Sequence, residues 1–117
     1  MKEIFVVEDD DGIRELVEFL LVTHQYSVKA FPNARAFHKA VPKRLPDLFL
    51  LDIMLPDGNG LDLCKELKES ERTGNIPVVL MSAHAEISGT GGADDFIAKP
   101  FDVDELLERI ERQFNER

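Results

Sequence analysis

Four short apolar runs in this chain each end in side chains able to do chemistry. Ile4-Phe5-Val6-Val7 leads into Glu8-Asp9-Asp10, and Leu48-Phe49-Leu50-Leu51 into Asp52. Val78-Val79-Leu80-Met81 leads into Ser82, and Phe96-Ile97-Ala98 into Lys99-Pro100. If the runs are strands of one open parallel sheet, their carboxyl ends border a common crevice. Carboxylates, a hydroxyl and an ammonium would then meet there. Glu8, Asp9 and Asp52 crowded together repel one another, and the natural occupant of such a cluster is a hard cation. Mg²⁺ keeps several waters and takes one or two carboxylates together with phosphate oxygens. The pattern therefore suits a site that holds Mg²⁺ and handles a phosphoryl group.

Each residue also has a plainer reading. Acids at a helix start are favoured by the macrodipole, which accounts for Asp10 or Asp11 as N-cap but less well for Glu8. Glu8 and Asp9 read as metal-facing, one directly and one through water. Asp52 could cap a turn, but Asp57 or Asn59 in Pro56-Asp57-Gly58-Asn59-Gly60 fits that task better. That leaves Asp52 facing the crevice, where a carboxylate can attack phosphorus to form an acyl phosphate. A metal and an ammonium would neutralise charge on the equatorial oxygens. A lysine after a strand is usually solvated. Lys99, fixed before Pro100, is placed to meet a phosphoryl oxygen as a point charge, and its peptide to Pro100 is the candidate cis bond. Ser82 would donate a hydroxyl hydrogen bond to the same group, although alone it is no more than a turn residue. Phe96 reads equally as core or as a switching aromatic.

The elements that must position these residues alternate strand and helix from end to end, which predicts βα units and a parallel sheet. Strands are predicted over residues 4–7, 26–31, 48–51, 76–81 and 95–98. Ile13, Leu16, Val17, Leu20 and Leu21 recur at helical spacing, as do Leu61, Cys64 and Leu67. Asn33 opens a helix carrying Phe37 and Val41. Asp102 caps a last helix on which Val103, Leu106, Leu107, Ile110 and Phe114 share a face. A length of 117 residues makes one domain, 1–117, able to bury roughly two-thirds of its unfolded surface. With 14 basic and 23 acidic residues the net charge is −9, and the absence of a basic stripe argues against direct nucleic-acid binding. The single Cys64 excludes an intramolecular disulfide, and no apolar run approaches the ~20 residues of a membrane span. The expected location is cytoplasmic.

Taken together, Val-Val-Glu-Asp-Asp, Leu-Leu-Asp-Ile-Met-Leu-Pro-Asp-Gly-Asn-Gly-Leu-Asp, Met-Ser-Ala-His and Asp-Asp-Phe-Ile-Ala-Lys-Pro-Phe resemble a response-regulator receiver domain of two-component signalling. The resemblance spans the whole chain. It implies a flavodoxin-like, five-stranded parallel sheet of order 2-1-3-4-5 with helices on both faces. It implies that Asp52 accepts a phosphoryl group from a sensor histidine kinase or a histidine phosphotransfer protein, switching binding to a downstream protein. Glu8, Asp9, Asp52 and the Met54 backbone carbonyl would ligate Mg²⁺, for which Mn²⁺ can substitute. Ser82 and Lys99 would hold the phosphoryl group, Phe96 would follow Ser82, and Met54 and His84 would tune dephosphorylation. Such a chain is a signalling switch, assisting only its own phosphorylation and dephosphorylation.

Other classes fit less well. An aspartyl phosphatase or mutase commonly has a second carboxylate two residues after its nucleophile, where this chain has Met54. A flavodoxin-like cofactor binder needs a phosphate loop after the first strand, where three acids would repel the anion. The remaining alternative is a receiver-shaped interaction module that works without phosphorylation. Two departures from the family pattern stand out. No output domain follows the last helix, which reads as a stand-alone or excised receiver. Residues 83–92 are few for a crossover, and Gly89, Gly91 and Gly92 each cost ~1 kcal/mol in a helix interior relative to Ala. The fourth helix is therefore expected to be shortened or absent. The less covered face of the last two strands would then invite a partner or a second copy of the chain, a homodimer through this remodelled face being one outcome.

Overall fold

Three of the four apolar runs form strands covered from both sides, and the fourth, at the sheet edge, is partly covered. In the computed structural model, which describes residues 1–83 and 92–115, the elements in chain order are β1 (Glu3–Val7), α1 (Asp11–Thr23), β2 (Ser27–Phe31), α2 (Ala34–Ala40), β3 (Leu48–Asp52), β4 (Met54–Leu55), β5 (Gly58–Asn59), α3 (Gly60–Glu69), β6 (Val78–Ser82), β7 (Asp95–Ala98) and α4 (Val103–Asn115). The main sheet has the order β2-β1-β3-β6-β7, with every pairing parallel. That is the expected 2-1-3-4-5 order once the short antiparallel β4–β5 hairpin, unforeseen in the sequence, is set aside. The strands β1, β3 and β6 are buried along their whole length, as continuous apolar runs in a doubly covered sheet must be.

Alternation along the strands divides the core in two. Phe5, Val7, Phe49, Leu51, Val78 and Leu80 pack with Phe37 of α2 and with Leu63, Cys64 and Leu67 of α3. Ile4, Val6, Leu48, Leu50, Val79, Met81 and Ile97 pack with Val17 and Leu21 of α1 and with Leu106 and Ile110 of α4. Phe5, Phe31, Phe37 and Phe49 meet edge-to-face on the first side. Each fully buried side chain of this kind contributes ~1.5–3 kcal/mol of transfer free energy.

Helix starts resolve the capping choices. Asp10 caps α1 through Ile13 N–H, and Asn59 caps α3 through Leu61 N–H. Asp57 instead accepts from the Ala34 and Arg35 N–H groups at 2.8 and 2.9 Å, closing the start of α2 from across the sequence. Those N–H groups, Ala34 foremost, hold its carboxyl below the usual carboxylate range. Two residues assigned to apolar helix faces are exposed instead: Leu16 at 48% and Val103 at 37%. Leu16 borders an open crevice and Val103 begins its helix, so among the described residues neither has an element above it.

A lysine ties down the amino-terminal ends of the last two strands. Lys68 Nζ donates to the carbonyls of Gly74 (3.5 Å) and Ile76 (2.9 Å) and to Asp94 Oδ2 (2.7 Å). The same carboxylate oxygen accepts from Val78 N–H at 2.8 Å. The expected shortening of the fourth helix, the pairing face that depends on it, and His84 all lie outside the described residues. Among the described residues no helix is long and apolar enough to cross a membrane.

Candidate functional site

Period-two alternation decides which crevice residues meet. Ile4, Val6 and Glu8 point the same way, as do Leu48, Leu50 and Asp52, and Ile97 and Lys99. All three series belong to the face that α1 and α4 cover. Glu8, Asp52 and Lys99 are the next positions of that face at the carboxyl ends of their strands, where they border an open crevice. This crevice of about 590 Å³ is bordered by Asp9, Ile13, Leu16, Met54, Ala83, Pro100 and Phe101 as well as by the three charged residues.

Lys99 bridges the two carboxylates. Its Nζ donates to Glu8 Oε1 in a short contact and to Asp52 Oδ2 at 2.9 Å. The second Asp52 oxygen accepts from Met54 N–H at 3.2 Å, and the second Glu8 oxygen from Asp10 N–H at 3.1 Å. Glu8 is fully buried and Asp52 is 4% exposed, whereas Asp9 stands open to solvent. One carboxylate oxygen from each of Glu8, Asp9 and Asp52 lies within 4.8 Å of the others. Burial pushes the Glu8 carboxyl up to about 7; the neighbouring Asp52 adds to this, while Lys99 and the Asp10 N–H oppose it. Burial works against the Lys99 ammonium, but its hydrogen bonds to Glu8 and Asp52 outweigh that, and its pKa is raised. A convergent all-oxygen donor set of three carboxylates beside one lysine fits Mg²⁺.

The remaining expected residues sit differently. Ser82 follows Val78 and Leu80 onto the opposite face of the sheet and is fully buried; its carbonyl accepts from Lys99 N–H at 2.7 Å. Phe96 pairs in register with Leu80 and lies partly buried against the α2/α3 core, on the same face as Ser82. Met54 is exposed at the crevice mouth. The Lys99–Pro100 peptide is cis, as the sequence suggested.

Two supports of the site escaped the sequence reading. A Cβ on Gly60 would stand 2.2 Å from the Asp52 carbonyl oxygen, so only glycine lets α3 begin against the end of β3. Pro56-Asp57-Gly58-Asn59-Gly60 was legible as a turn, but not as a close approach. Arg14 wraps the main chain of Glu8 and Asp9. Its signal was isolation, since it is the sole Lys or Arg between Lys2 and Lys29.

Residues 4–111 match the model of the response regulator receiver domain. The phosphate regulon transcriptional regulatory protein PhoB of Pseudomonas aeruginosa is 39% identical over 93% of this chain and 50% of its own length. The DNA-binding dual master transcriptional regulator RpaA of Synechocystis is 36% identical over 94% of this chain and 48% of its own. The chain thus spans about half the length of these curated relatives. Among solved structures, the receiver domain of sensor histidine kinase PA1611 from Pseudomonas aeruginosa, with magnesium coordinated in its active-site cleft, superposes with a TM-score of 0.87 at 25% identity, covering 95% of both chains.

Proposed function

We propose that this chain, which belongs to the response regulator receiver domain family, is a phosphorylatable switch with Asp52 as phosphoacceptor. The observation that carries the reading is Lys99 bridging Glu8 and Asp52 at the mouth of an open crevice, with Asp9 alongside. A carboxylate oxygen of Asp52 attacks the phosphorus of a phosphohistidine on a sensor histidine kinase or histidine phosphotransfer protein. The O–P bond forms as the N–P bond breaks, and the imidazole leaves. Lys99 exchanges its carboxylate contacts for an equatorial phosphoryl oxygen. Glu8, Asp9, Asp52 and the Met54 backbone carbonyl would hold Mg²⁺, or Mn²⁺ in its place. When bound, the metal supplies charge neutralisation for the transferring group.

Ser82 is the second contact for the phosphoryl group. It shares a sheet face with Phe96, so drawing its hydroxyl towards Asp52 opens space beside Phe96 and biases the ring inward. The altered surface is what a downstream protein reads. Its net charge of −9 argues that this domain itself does not contact DNA, even though the relatives named above are DNA-binding or transcriptional regulators. A cytoplasmic location, where a kinase could reach it, belongs to the same reading.

Incubation with Mg²⁺ and a small acyl phosphate or phosphoramidate, followed by intact-mass measurement, tests this directly. One phosphoryl group is expected on the wild type and none on Asp52→Asn, whose amide is a poor nucleophile, with circular dichroism unchanged. Equal labelling of Asp52→Asn would move the acceptor elsewhere. An unlabelled wild type would favour a module that acts without phosphate.

A further inference from the structure

We infer that Arg14 is a positioning residue for the metal-binding acids, acting through their backbone. The inference rests on the reading of Glu8, Asp9 and Asp52 as a Mg²⁺ site. Arg14 Nη1 donates to the carbonyl of Glu8 at 2.9 Å and to that of Asp9 at 3.3 Å, while Nη2 donates to Asp11 Oδ1 at 2.5 Å. One planar group on the first turn of α1 therefore holds two consecutive acids by the main chain and is itself braced by a third. Its side chain is 19% exposed, against 82% for Asp11, so the contact is seated in the fold and not laid over it.

The physical need for such a clamp comes from the acids themselves. Like charges at Glu8, Asp9 and Asp52 push apart, and the turn after β1 is the part free to yield. The other ties of the turn are Glu8 N–H to the Phe31 carbonyl, Arg14 N–H to the Asp10 carbonyl, the Asp10 cap on Ile13, and the contacts of the Glu8 carboxylate with Asp10 N–H and Lys99 Nζ. None of these reaches the Glu8 and Asp9 carbonyls, which set the course of the main chain between the two acids and which Arg14 holds. Arg14 does so without occupying the oxygens a cation needs, for among the described residues its only carboxylate partner is Asp11. A lysine would keep the charge but lose the fork, since an ammonium is a point donor on a flexible stem.

Charge and positioning predict opposite results. As a mere fixed charge, Arg14 repels the metal; Arg14→Met would then bind Mg²⁺ more tightly and Arg14→Lys would match the wild type. As a clamp, both variants bind more weakly, by about tenfold, the lower end of what loss of an outer ligand support usually does. Isothermal titration of each folded protein with Mg²⁺ gives the affinity, and thermal melting without metal reports the fold. Weakened binding in both variants, with melting close to wild type, is the expected result. An unchanged or tighter affinity in either folded variant overturns the inference, as does unfolding of both, which would make Arg14 a general structural support. Absence of Mg²⁺ binding by the wild type would instead bring down the metal-site reading and this inference with it.

Discussion

Lys68 and Lys99 are both lysines with little exposed surface, and both reach carboxylates beside β6 and β7, yet they work at opposite ends of those strands. Lys68 faces two backbone carbonyls and one carboxylate that already accepts from Val78 N–H. Every acceptor there belongs to a fixed turn, and the charge on each side is balanced. Lys99 faces two carboxylates and an open crevice, with Asp9 adding a further acid. Its partners can be exchanged for a ligand without leaving a backbone group unpaired. Two similar ion pairs thus differ in what their neighbours allow: the first closes a turn, and the second holds a site ready.

The largest separation should come from removing each ammonium. Lys99→Met should slow phosphoryl incorporation at Asp52 on the order of 10²-fold, as loss of a donor aimed at developing charge does elsewhere. Lys68→Met should leave that rate unchanged within a factor of two or so, because its hydrogen-bond partners Gly74, Ile76 and Asp94 lie at the opposite ends of the strands. Labelling time courses with a small phosphodonor measure both. Equal slowing in the two variants would dissolve the distinction between them.

Stability should show the reverse order. Lys68→Met strands the Ile76 carbonyl and the Asp94 carboxylate at the base of β6 and β7, a loss of ~1–3 kcal/mol. Urea denaturation followed by circular dichroism would report it as a lower midpoint. An unshifted midpoint would mean that water replaces the lysine at no cost, and that the tie at this end is incidental.

How much of this was legible in the sequence follows the range of each interaction. The strands were readable because Ile4-Phe5-Val6-Val7 and Leu48-Phe49-Leu50-Leu51 are continuous apolar runs, and polar side chains directly after such runs must sit at strand ends. Parity needs the observed register: counting by twos from Ile4, Leu48 and Ile97 brings Glu8, Asp52 and Lys99 to one face, and counting from Val78 sends Ser82 to the other, a division that the convergence expected from strand ends alone does not contain. Contacts made at a distance were not readable. Asp57 caps a helix that begins 23 residues earlier, and Gly60 is required by a carbonyl it meets only after folding. The role of Arg14 was not readable, because sequence spacing alone does not say that its fork returns to the turn before it. The exposure of Leu16 and Val103 has the same origin, since a helical stripe names a face but not what covers it.

Cys64 offers the finest test of the contrast. It sits in α3 one turn before Lys68, fully buried, and burial pushes its thiol up from 9.0 to about 11, with Lys68 opposing and Asp94 adding to the rise. A raised thiol means that the folded chain keeps a proton which the unfolded chain gives up. The stabilisation is therefore fully present below about 9 and is lost as pH climbs from there to about 11. The difference in stability between wild type and Cys64→Ala should shrink across that window, a comparison that cancels other groups titrating there. At pH 8 the thiol should resist iodoacetamide except through opening of the fold. If Lys68→Met loosens the fold by ~1–3 kcal/mol, the open population and the alkylation rate should rise about 5- to 150-fold. Lys99→Met disturbs only the far end of the strands and should leave Cys64 as protected as before. Faster alkylation in Lys99→Met than in Lys68→Met would reverse the assignment of the two lysines, making the crevice pair the one that holds the fold together.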